Sequence, residues 1–154
     1  MLVHIIEDDE LKASRILDFL KSQHPDYTFK VSGSYQSGLK SMEEETPDFV
    51  ILDMTLPNFD YAPDQRDRRM RPLGGYDLMR KLKRKSYSTK VIIVTQLPSF
   101  DEDKKKLSFE EVAERCRHEF PDTFVTGIYF DQSDISWQRE LISAINSLNS
   151  RDEI

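Results

Sequence analysis

Long apolar runs, paired cysteines and a basic surplus are all missing from this 154-residue chain. No stretch approaches the roughly 18 to 20 apolar residues that a membrane-spanning helix needs, and no basic segment followed by an apolar one opens the chain. Neither a span nor a secretory leader is expected. A single cysteine, Cys116, excludes an internal disulfide framework. Against 28 Asp and Glu stand 22 Lys and Arg, for a formal charge of -6. A phosphate backbone demands a basic face, so direct nucleic-acid binding is disfavoured. A reducing, cytoplasmic setting is expected, and no repeat or low-complexity tract is visible.

Hydrophobic residues make up 38% of the chain, which suffices for one core at this length. Leu2 to Ile6, Phe49 to Leu52, Val91 to Val94 and Phe124 to Phe130 are apolar, β-prone runs. Such runs fit strands buried on both faces of a parallel sheet. Tyr27 to Val31 alternates and fits an edge strand. Between the runs lie amphipathic stripes: Ala13, Ile16, Leu17, Leu20; Tyr35, Leu39, Met42; Leu78, Met79, Leu82; Phe109, Val112, Ala113, Cys116; and Leu141, Ile142, Ile145, Leu148. Ser108 to Glu111 fits a capping box. The predicted fold class is α/β, a doubly wound (βα)5 unit with a parallel five-stranded sheet in one domain spanning 1–154. Its functional crevice should lie at the carboxyl ends of the strands.

Acidic residues follow the first and third strands there: Glu7, Asp8 and Asp9, then Asp53. Clustered carboxylates raise one another's pKa unless a cation joins them, and hard Mg2+ suits oxygen ligands. Asp9 fits either this cluster or a helix cap. His4, His24 and His118 show no metal-ligand spacing, and Trp137 fits packing.

Ile5 to Asp9, Pro47 to Pro57 and Val91 to Thr95 resemble, in order, the motifs of receiver domains of two-component response regulators. The resemblance covers essentially the whole chain and implies a flavodoxin-like receiver fold. It also implies a phosphoryl acceptor at Asp53, with Mg2+ held by Glu7, Asp8, Asp53 and the Thr55 backbone carbonyl. Thr95 would contact the phosphoryl oxygens, and Tyr129 would be the switch aromatic or simply part of the core or sheet edge. Three departures stand out. The usual Lys after the fifth strand is missing from Tyr129 to Asp134, where Asp131 or Gln132 would occupy its place. Gln96 follows Thr95 where a small residue is usual, and could crowd entry to Asp53. An insertion at about 58–74 lengthens the loop after the acceptor; its Arg66, Arg68, Arg69 and Arg71 either serve as surrogate cations or form a solvated loop.

The expected function is a stand-alone receiver module signalling through protein contacts. A histidine kinase or phosphotransfer protein would act upstream, an unknown output protein downstream, and a homodimer is left open. Catalysis would extend at most to self-phosphorylation and slow autodephosphorylation. The alternatives are a phosphorylation-independent pseudo-receiver and, ranked below it, a Mg-dependent aspartyl phosphatase. Glu7-Asp8-Asp9 does not fit the Asp-x-Asp pattern of haloacid-dehalogenase-type phosphatases, whose nucleophile follows the first strand.

Overall fold

A computed structural model describes residues 1–60, 69–85 and 87–152. Five parallel strands form the sheet: β1 (Leu2–Ile6), β2 (Thr28–Ser32), β3 (Phe49–Leu52), β6 (Lys90–Thr95) and β9 (Phe124–Tyr129), in the order β2-β1-β3-β6-β9. Helices α1 (Glu10–Gln23), α2 (Tyr35–Glu44), α3 (Gly74–Arg84), α4 (Phe109–Glu119) and α5 (Ser136–Asp152) alternate with them. This is the doubly wound arrangement that the runs and stripes predict, with β2 as an edge strand. Chain order reverses beside β1, which opens a crevice between the ends of β1 and β3.

Period two divides the core. Ile6, Val50, Leu52, Val91 and Ile93 face one side, with Met42, Leu78 and Cys116 from α2, α3 and α4. Val3, Ile5, Ile51, Ile92 and Val94 face the other, with Ile16, Leu20 and Leu141 from α1 and α5. Trp137 is buried on this second face, edge-on to Phe19. Burial pushes the Cys116 thiol up to about 12. Ser108 and Glu111 form the capping box of α4.

Two small hairpins were not foreseen. The two-residue strands β4 (Leu56–Pro57) and β5 (Met70–Arg71) pair across the base of the 58–74 connection. Strands β7 (Ser99–Glu102) and β8 (Lys105–Ser108) pair antiparallel between β6 and α4. Phe100 and Leu107 face each other across that hairpin and tuck into the core. Its turn holds Asp103 at a φ of 54°. Among the described residues no helix is long and apolar enough to cross a membrane.

Candidate functional site

β1 ends at Ile6, and the next three residues divide the work. Asp9 caps α1, its Oδ1 accepting from the amides of Leu11 at 3.0 Å and Lys12 at 3.2 Å. That settles the open choice for Asp9 in favour of the cap. Glu7 turns inward and is 5% exposed. Asp53 leaves β3 with its amide bonded to the Ile6 carbonyl at 3.1 Å, which brings the two strand ends together. One oxygen each from Glu7, Asp8 and Asp53 lie within 4.8 Å of one another. Beside them opens a cleft of about 510 Å³, lined in part by Glu7, Asp8, Glu10 and Asp60.

Burial, and next the Asp53 carboxylate, push the Glu7 carboxyl up to about 9, while the Lys12 ammonium pulls the other way. Three carboxylates this close repel one another, and one lysine offsets only part of that charge. An all-oxygen donor set short of positive charge fits a hard divalent cation.

A cation does stand beside Asp53, and it comes from an unexpected element. Lys12, in the first turn of α1, is 1% exposed. Its Nζ donates to Glu7 Oε2 at 3.0 Å and to the Val94 carbonyl at 2.8 Å, and lies 3.6 Å from Asp53 Oδ2. The signal for it was present in the sequence. Lys12 lies one turn before Ile16 on the stripe that continues to Leu20, and a cation in a first helical turn opposes the helix dipole.

The remaining predicted residues are dispersed around this centre. Asp53 Oδ1 accepts from the Met54 amide at 2.8 Å. Thr95 is buried at the end of β6, its Oγ1 accepting from the Leu97 amide at 3.3 Å. The Thr55 hydroxyl donates to the Pro72 carbonyl at 2.8 Å, tying the loop after β3 to the approach of α3. Tyr129 is 43% exposed, and its ring stands edge-on to Phe109 at 6.4 Å. Arg71 lies 3.9 Å over the Tyr35 ring, bonds Asn58 and pairs with Asp77. The Arg69 carbonyl accepts from the Asn58 amide. Arg66 and Arg68 lie outside the described residues.

Beyond β9, neither Asp131 nor Gln132 turns toward the site. Thr95 registers with Tyr129, and the Phe130 amide donates to the Thr95 carbonyl at 2.7 Å. Phe130 is the residue turned inward, its ring centroid 5.7 Å from Lys12 Nζ. Asp131 and Gln132 are exposed. The Gln96 side chain is held by the Gln132 amide at 3.3 Å.

No family model matches the chain. An uncharacterized protein, y4jR, from Sinorhizobium fredii is 29% identical over 148 residues, covering 94% of this chain and 97% of that protein. The Detocs response regulatory protein DtcB from Enterobacter cloacae is 27% identical over 147 residues, covering 94% and 98%. Among solved structures, a response regulator receiver domain protein (CheY-like) from Methanospirillum hungatei superposes with a TM-score of 0.65 at 17% identity, covering 99% of this chain and 95% of that one.

Proposed function

We infer that this chain, which has the receiver fold and resembles response regulator receiver domains, accepts a phosphoryl group on Asp53 and signals through protein contacts. The observation carrying this reading is the convergence of Asp53 with Glu7 and Asp8 where β1 and β3 end. With Asp53 Oδ1 engaged by the Met54 amide, Oδ2 is the oxygen left to attack phosphorus. The new bond from Asp53 Oδ2 to phosphorus forms as the donor's P–N or P–O bond breaks, and the bonding pair leaves with the donor's imidazole nitrogen or carboxylate oxygen. The Thr95 hydroxyl would donate to a phosphoryl oxygen, and release of its bond to the Leu97 amide would carry the change into β7. Mg2+ would be held by Glu7, Asp8, Asp53 and the Thr55 carbonyl, and would neutralise charge on the phosphoryl oxygens.

In this reading residues 1–154 act as one domain carrying an insertion at 58–74. The setting is the cytoplasm, and a histidine kinase or phosphotransfer protein is the donor. Intact-mass spectrometry after incubation with Mg2+ and acetyl phosphate tests the reading. The expected result is a gain of one phosphoryl group that vanishes in Asp53→Asn. A wild-type chain that is folded but never gains mass, from acetyl phosphate or from a phosphorylated histidine domain, overturns it.

One observation favours a second reading, a phosphorylation-independent pseudo-receiver. Lys12 already bridges Glu7 and Asp53, so the pocket holds an internal counter-charge in its ground state.

A further inference from the structure

We propose that the Lys12 ammonium is the phosphoryl-binding cation of this chain, poised at Asp53 with one donor unspent and anchored to the end of β6. The inference rests on Asp53 being the acceptor, and concerns which group receives the charge placed there.

An ammonium has three hydrogen-bond donors. Two of those on Lys12 are accounted for, by Glu7 Oε2 at 3.0 Å and the Val94 carbonyl at 2.8 Å. Asp53 Oδ2, at 3.6 Å, lies just beyond ordinary hydrogen-bond length, within reach of a group built on that oxygen. A phosphorus on Oδ2 carries three further oxygens outward from that atom. One of them can therefore take the third donor without movement of the helix. The side chain has little freedom to go elsewhere: it is 1% exposed and confined by the Phe130 ring.

A purely structural role would have Lys12 only offset the repulsion between Glu7 and Asp53. The bond to the Val94 carbonyl argues for more. It fixes the nitrogen from a third element, so that the ammonium reads Asp53 and grips the residue before Thr95 at once. A change in the pull of Asp53 on Nζ is then felt directly at the end of β6.

Lys12→Met keeps the length and apolar stem while removing the charge, and Lys12→Arg keeps the charge. With acetyl phosphate and Mg2+, Lys12→Met should label roughly ten- to a hundredfold more slowly than wild type, the range expected for a lost charge-assisted hydrogen bond. It should also lose its phosphoryl group at a different rate, and Lys12→Arg should recover part of the labelling. Circular dichroism checks that each variant is folded. In the wild-type chain the lysine ammonium 1H–15N signals are followed as beryllofluoride and Mg2+ are added, so the result stands even if Lys12→Met unfolds. The Lys12 signal should shift and sharpen. An unmoved Lys12 signal, or a folded Lys12→Met that labels and decays like wild type, overturns the role of Lys12 while leaving Asp53 as acceptor. A wild-type chain that takes no phosphoryl group on Asp53 overturns the acceptor reading itself, and the role of Lys12 with it.

Discussion

His4 sits wholly buried in β1, with Nε2 2.7 Å from the Ser32 hydroxyl. Burial first, then the charge of Lys30, lower its pKa to about 4. An unfolded histidine titrates near 6.5, so on acidification the unfolded chain takes up the proton first. Stability is fully present above about pH 6.5 and is lost as pH falls toward 4, by roughly 3–4 kcal/mol at most. Urea midpoints should therefore drop between pH 7.5 and pH 5, and His4→Gln should flatten that slope. At Asp8 the expectation concerns the metal: Asp8→Asn should weaken Mg2+ binding in calorimetry, whereas equal affinity in both chains would remove Asp8 from the ligand set. The carboxylates were legible because each follows an apolar run, and strand ends of a parallel sheet meet along one edge. Lys12 was overlooked despite its place one turn before Ile16, because a lysine among helical residues is ordinarily solvated, and only the meeting of three strand ends makes a buried one tolerable.

At the scale of elements, α3 approaches the acceptor loop through Gly75. Its amide donates to the Met54 carbonyl at 2.8 Å, and a Cβ there would lie 2.7 Å from the Asp53 carbonyl and 3.1 Å from Met54 Cα. Both obstacles are backbone, so Gly75→Ala must push the helix away from the loop. A cost of about 1–3 kcal/mol is expected, with slower phosphoryl uptake in the same variant. Gly33→Ala is the matched control, since among the described residues its Cβ would meet only the Asp60 side chain, at 3.5 Å. Thermal melts of the two compare them directly. The long elements were legible because their periods repeat several times. The hairpins escaped because β4 and β5 are two residues each, and because the charges of Asp101 to Lys106 mask the inward pair Phe100 and Leu107.

Across the whole molecule, the sheet is the common wall of two cores, and Ile92 lies near its middle. Ile92 pairs with Ile51 on β3 and Thr126 on β9 and is fully buried on the α1–α5 side. Ile92→Ala should cost about 2–5 kcal/mol through lost burial and the cavity left behind. Denaturant titration reads this as a lower midpoint with an unchanged slope. An unmoved midpoint would mean that the sheet centre lies elsewhere. The overall order of the sheet was foreseeable because right-handed crossovers leave few ways to wind five βα units. The lengthened loop at 58–74 was visible in the sequence, but the pairing of β4 and β5 at its base was not, since two-residue strands carry no period.

Cys116 gives the chain a built-in clock. Its thiol is fully buried under α4, in the core shared with Ile93 and Phe124, and burial holds it far from the reactive thiolate form. A maleimide or disulfide reagent can therefore react only during the moments when α4 lifts from the sheet. Because the chain has no other cysteine, the labelling rate reports that lifting alone. Measured with and without phosphoryl donor, it would time how firmly the α4 face is latched in each state, with no probe added to the protein.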